Sequence, residues 1–295
     1  MSVVVASPTT GTVPAQLGRR ARVIRRLRRN PLAVVSFTVL LVATAIAVLA
    51  PWIAPYAPQH TDFSHTFAPP GTPGHILGTD DLGRDELSRI MVGMRASLVV
   101  GVLAVLTALL IGVPLGLAAG YFEKADALIS RFTDLLLAFP FLILAVGLAA
   151  IRGASLGNAA LAIGIAQIPG VIRVVRSDAL RLKSLDFVAA SVVDGAGDLW
   201  VLGRHVLPNA TSVILVQATV AVPAAILGEA VLSFLGLGIQ PPAPSLGTML
   251  ATAQQFAARA PWAAILPGLV IMVLALAFNV FGDALRDALD PKGNR

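Results

Sequence analysis

A carboxylate, an amide and a hydroxyl set in an apolar segment can line a polar passage, and Glu229, Gln217 and Thr219 lie in such a stretch, from about 212 to 235. At roughly 1.5 Å per residue, Glu229 stands about 26 Å along a helix from Ser212. It therefore falls nearer one end of a span than its middle, and interhelical pairing competes with substrate contact as its role. Catalysis would need a converging set, whereas Asp134, Glu229 and Asp283 are dispersed over separate segments. Neutral imidazoles ligate nickel or zinc, but His60, His65 and His75 lie on a proline-rich loop with no compact ligand spacing, so ordinary loop roles are expected and no metal site. The absence of cysteine excludes a disulfide framework and a thiolate metal centre. No G-x-x-x-x-G-K sequence follows a strand. Catalytic residues and a directly bound cofactor are accordingly not expected.

The elements that position these groups follow from composition. Hydrophobic residues make up 56% of the 295 and charged residues 13%, against roughly 25% charge in a soluble domain; mean hydropathy is +0.82. The expected fold class is an all-α polytopic membrane protein with six transmembrane helices, near 31–53, 97–119, 129–149, 156–175, 212–235 and 261–281. The expected organisation is a basic tail (1–30), a first span (31–54), an external loop (55–96), a transmembrane domain (97–283) and a short tail (284–295). Residues 1–18 are a low-complexity stretch expected to be poorly ordered. The first apolar run is too long for a signal-peptide core and reads as an uncleaved helix. Gly112, Gly116 and Gly120 recur every four residues and predict a close helix contact. Thr79 or Asp80 is expected to cap a helix starting near Asp81, and Arg131 to pair with Asp134. Net charge is +6, but the basic residues gather at the edges of the spans rather than in a basic domain, which argues against nucleic acid as a partner. Seventeen of the 22 lysines and arginines fall on the side holding both termini and five on the other, so both termini are expected in the cytoplasm.

The loop 187–209, FVAASVVDGAGDLWVLGRHVLPN, is polar and glycine-containing, lies between long apolar segments and carries Arg173, Arg176, Arg181, Lys183 and Arg204 around it. Pro208 is expected to break a cytoplasmic helix from the next span. Asp198 to Arg204 is expected to form a short helix across the membrane surface, offering Leu199, Trp200, Val201 and Leu202 to a partner groove.

Gly195, nine residues, His205, one residue and Leu207-Pro208 resemble the coupling loop of bacterial ABC importer permeases. Ala190 matches the first alanine of that pattern, while Ala189 stands where the family has glutamate and Ser191 where it has the second alanine. Asp194 or Asp198 is a candidate to replace that glutamate at a helix start. Gly78-Thr79-Asp80, Leu82-Gly83-Arg84-Asp85, Glu229-Ala230, the 232–238 segment, Gln240-Pro241-Pro242, Pro267-Gly268 and 279–283 are similar to the dipeptide, oligopeptide and nickel subgroup, C-type subunit. The resemblance spans about 31–291. It implies a type I importer permease fold with a cytoplasmic coupling helix in the bacterial inner membrane, and the coupling residues Ala190, Gly195, Asp198, Leu199, Trp200, His205, Leu207 and Pro208. The partners it implies are a second homologous permease, one or two types of ABC ATPase subunit that bind the ATP and Mg2+, an extracytoplasmic substrate-binding protein, membrane lipids, and a peptide or, alternatively, a nickel chelate or other small solute.

Overall fold

Asn30 separates two helices and starts the second. In the computed structural model, which describes residues 19–289, α1 (Arg19–Arg29) ends at Asn30. The Asn30 side chain accepts from the amides of Leu32 at 3.0 Å and Ala33 at 3.3 Å, capping α2 (Pro31–Ile53). Proline suits the first position because its missing donor would be unpaired there anyway. One face of α2, including Ala43, Ala47 and Ala50, is buried, while Val35, Phe37, Leu41 and Trp52 are exposed, the division expected of a helix with lipid on one side.

The next helix, α3 (Glu86–Tyr121), starts later than the expected position near Asp81. Its cap is Asp85, whose carboxylate accepts from the Ser88 amide at 2.8 Å. Asp80 is occupied instead in a tight turn: it accepts from the amides of Leu82 and Arg84, each at 2.9 Å, and pairs with Arg84 at 2.6 Å and Arg89 at 3.3 Å. Gly83 turns the chain there with φ +71°, and any side chain on it would run into the Asp62 backbone. Thr79 serves the loop as well, its hydroxyl accepting from the Ala68 amide and donating to the His65 carbonyl.

The expected third span is broken. It consists of α4 (Glu123–Leu137) and α5 (Phe141–Arg152), bent by 91°. Pro140 lies at the break, where it can neither donate an amide nor leave Phe139 free to stay helical. Among the described residues, five helices are long and apolar enough to cross a membrane, and the bent pair makes six if counted as one span. The expected Arg131–Asp134 pair is replaced: Asp134 meets Arg173 at 2.8 Å. Both groups are well exposed, so the pair contributes little to stability.

α6 (Leu156–Lys183) is capped by Ser155, which accepts from the Asn158 amide at 3.1 Å, and it packs parallel to α3. A Cβ added at Gly112 would come within 2.7 Å of Val171, one at Gly116 within 2.8 Å of Val175 and one at Gly120 within 2.5 Å of Ala179. The four-residue recurrence read from the sequence is thus a seam along which two backbones touch. α7 (Asp186–Val193), α8 (Asp198–Val201), a π-helical segment (Leu202–Val206) and α9 (Leu207–Phe234) follow, then α10 (Leu246–Gln254) and α11 (Pro261–Leu289). The main core lies among α3, α5, α6 and α9, around Val100, Ala104, Ile163, Ala225 and Leu232.

The two ends of the bundle differ. At one, the 54–85 loop docks on the start of α11, with Trp262 Nε1 donating to the Thr79 carbonyl at 3.3 Å and Phe67 against Phe256. The other end gathers Tyr121, Asp126, Arg176, Lys183 and the 184–206 segment.

Candidate coupling surface

Gly195 ends α7. Its φ is +85°, and the pattern around it closes the last turn: the Gly195 amide donates to the Val192 carbonyl at 3.0 Å and the Ala196 amide to Ser191 at 3.1 Å. These are the paired bonds of a glycine-terminated helix, in which the residue after the cap takes the left-handed conformation. A Cβ at Gly195 would meet nothing within 4 Å, so the glycine is required by backbone conformation and not by crowding within the chain.

The loop is held from below and bare above. Val188, Val201 and Val206 are 2%, 0% and 0% exposed and join Tyr121, Val175, Ala179 and Leu182 in one apolar cluster. Leu199 and Trp200 are 77% and 54% exposed, and Val192 and Val193 also face outward. Ala190, Gly195, Asp198, Leu207 and Pro208 lie on the surface; His205 is half-buried, its Nε2 3.2 Å from Ser191 Oγ and its ring 5.1 Å from Trp200 in an edge-on contact. Asp198 accepts from the Tyr121 hydroxyl at 3.0 Å, and Lys183 Nζ donates to the Tyr121 carbonyl at 2.8 Å. Tyr121, Val188 and Val206 did not stand out in the sequence, and Val201, expected to face a partner groove with Leu199, Trp200 and Leu202, is instead buried beneath Leu199 and Trp200 in the chain's own apolar cluster.

Pro208 does not break the chain. Asp198–Phe234 is one helix of 37 residues, so the expected separate helix at Asp198–Arg204 is the first part of it. The π segment explains the continuity: the Leu207 amide reaches back five residues to Leu202, which widens the turn where the proline ring would meet a carbonyl. Asn209 Nδ2 then satisfies the His205 carbonyl at 2.7 Å.

The three groups proposed for a passage do not converge. Gln217 borders a cavity of about 680 Å3 with Asp178, Arg181, Phe187 and Arg286, at the end of the bundle that carries the 184–206 segment. Thr219 donates to the Val216 carbonyl at 2.8 Å and faces Gly282 of α11, where an added Cβ would come within 2.9 Å of its hydroxyl. Glu229 is fully buried and accepts from Ser97 of α3 and Ser233, each at 2.6 Å. It binds helices together and does not border that cavity.

At the opposite end, Asp62, His65 and His75 each bring a ligand-type atom within 4.8 Å of the others, and His60 is not among them. From the sequence, His60, His65 and His75 lie on a proline-rich loop without compact ligand spacing, and Asp62 does not stand out; the loop turns at Gly71 and Gly74 return His75 to the 62–65 turn. Hydrogen bonds from the Ser64 hydroxyl and then His65 hold the Asp62 carboxyl down at about 2.

The sequence pattern described as the binding-protein-dependent transport system inner membrane component matches residues 112–294, and that of the N-terminal TM domain of oligopeptide transport permease C matches 19–70. The chain is 47% identical over 271 residues to the dipeptide transport system permease protein DppC of Escherichia coli (strain K12), covering 90% of each. It is 43% identical over 270 residues to the glutathione transport system permease protein GsiD of Pectobacterium atrosepticum, covering 91% of this chain and 89% of that one. Its fold is similar to a chain of the inward-facing MetNI methionine ABC transporter, with a TM-score of 0.54 and 18% identity over 67% of this chain and 96% of that chain. That likeness gives the type I importer permease fold.

Proposed function

Because the chain belongs to the binding-protein-dependent transport system inner membrane components, a family of multi-pass inner-membrane permeases, we propose that it is the C-type subunit of an ATP-driven importer of dipeptides or short oligopeptides. It pairs with a second, homologous permease and receives its cargo from an extracytoplasmic binding protein. One or two types of ABC ATPase subunit bind ATP and Mg2+ and carry out hydrolysis; this chain performs no chemistry of its own. Both termini and the 184–206 segment lie in the cytoplasm, while the 54–85 and 236–260 segments lie outside. ATP-driven closure of the ATPases moves the coupling segments and alternates access to a path between the two permeases.

The observation that carries the coupling part of this reading is the pairing of bare Leu199 and Trp200 with the buried Val201 directly beside them. An apolar patch held rigidly outside the spans suits a partner groove, since its exposure to water is unfavourable and its shape is already set. Peptide as cargo is supported by the relatives' names, which favour it over a nickel chelate.

The test is uptake by the complete assembly in liposomes. Labelled dipeptide should accumulate only with ATP and the binding protein both present. Accumulation of a nickel chelate but no peptide would overturn the cargo, and uptake without ATPases would overturn the mechanism.

A further inference from the structure

We propose that Asp62, His65 and His75 form a binding site for a first-row divalent cation of the zinc class, on the loop that precedes α3. Two imidazoles and one carboxylate are a ligand set that zinc accepts, with a fourth position left for water. The three ligand-type atoms already lie within 4.8 Å of one another. A four-coordinate ion with bonds near 2.0–2.1 Å needs ligand atoms about 3.3 Å apart, so a small contraction of the loop closes the site. His65 Nδ1 and Asp62 Oδ2 are 2.7 Å apart and share a proton; the ion replaces that proton and spreads the pair slightly.

The surroundings favour a site over a chance meeting of side chains. His75 is buried, and its Nδ1 lies 3.0 Å from Asp85. A carboxylate on one ring nitrogen fixes the tautomer and leaves the lone pair of the other for a metal, the usual outer support of a metal-bound histidine. The Tyr56 ring stacks on His75 with centroids 5.0 Å apart. Asp62 also caps the short 63–65 turn through the Ser64 amide at 3.0 Å, and its backbone is pressed against Gly83. Two ligands therefore stand on constrained backbone. Asp62 and His65 keep side-chain exposures of 35% and 46%, which leaves the ion an entry. Bound there, it would fasten the 62–65 turn to the 75 turn and to the cap of α3. This inference does not depend on the cargo or on which side of the membrane the loop faces.

The full-length chain, produced with an affinity tag free of histidine and stripped with chelator, is titrated with Co2+ and then Zn2+. One Co2+ per chain should bind with the visible absorption of a four-coordinate ion, and Zn2+ should displace it. His65→Ala, at an exposed position that the fold tolerates, should weaken binding by at least about 100-fold. Asp85→Asn, which keeps an oxygen for the α3 cap, should weaken it by about 10–100-fold. His60→Ala should leave it unchanged. No stoichiometric binding, equal binding by the His65→Ala chain, or equal loss in the His60→Ala chain would each overturn the site.

Discussion

The Tyr121 hydroxyl donates to Asp198 at 3.0 Å, joining the last residue of α3 to the first residue of the exposed segment. α3 runs for 36 residues and is seamed to α6 through its glycines, so this bond ties the exposed segment to a closely packed helix pair. Tyr121→Phe should cost about 1 kcal/mol locally, the net worth of one such bond. Global unfolding temperature should barely change, while limited proteolysis within 194–206 speeds up and peptide moved per ATP hydrolysed falls.

The coupling patch makes a paired prediction. Leu199→Asp with Trp200→Asp puts carboxylates on groups that are 77% and 54% exposed, so folded yield should hold. ATPase binding should weaken by 10-fold or more, because carboxylates buried in a partner groove lose hydration. Val201→Asp, one residue on and fully buried, should abolish folding instead. Normal ATPase binding and coupled uptake by the first variant would refute the patch.

Gly195 separates conformation from crowding. Positive φ penalises any side chain by about 1 kcal/mol or more, and asparagine less than others. With open space around it, Gly195→Ala and Gly195→Leu should destabilise the isolated permease equally, by thermal melting. If leucine is worse than alanine only when the ATPases are bound, the partner's surface lies against residue 195.

Glu229 is predicted to act structurally. Removing its carboxylate in Glu229→Leu takes the acceptor from the Ser97 and Ser233 hydroxyls, although Ser233 Oγ still accepts from the Ile239 amide; a buried group left unpaired costs about 1–3 kcal/mol. Thermal stability and folded yield should drop, while uptake per folded assembly stays near normal. A stable variant without uptake would return Glu229 to the path.

Sidedness can be read by labelling, since the chain has no cysteine. Introduced at exposed Phe63, a cysteine should react with an impermeant maleimide in intact cells. At exposed Val193 it should react only after the membrane is opened. Reversed labelling would invert the orientation.

The apolar runs and the glycine seam were legible because lipid selects for continuous hydrophobicity and a touching backbone for small residues; Gly112, Gly116 and Gly120 meet their partners as their spacing implied. Local competition was not legible. The sequence pointed to Thr79 or Asp80 as the cap, but the cap is Asp85, because Arg84 and Arg89 engage Asp80 and the loop engages Thr79. The break at Pro140 was hidden inside an apolar stretch of suitable length, since hydropathy does not record direction. Pro208 deceived in the opposite sense: a π turn absorbed it. In the coupling surface exposed Leu199 and Trp200 were visible and their support was not: Val201 read as part of the same outward patch, and Val188 and Val206 differ from Leu199 only in which way they face. The Asp62–His65–His75 cluster escaped because glycine turns, not sequence spacing, bring it together.

Moved as one body, the unbroken helix from Asp198 to Phe234 would act as a see-saw. Thr219 rests against Gly282, the close approach to α11 that a larger residue would forbid. That fulcrum divides the helix into arms of about 32 Å toward Asp198 and about 23 Å toward Phe234 at 1.5 Å per residue. Pushing Leu199 sideways by about 3 Å would swing the far end, with Ser233 and Phe234, about 2 Å the other way. Such a transmission would need no melting or rewinding of the helix: a beam pivoting on a glycine bearing would convert displacement at one membrane face into opposite displacement at the other.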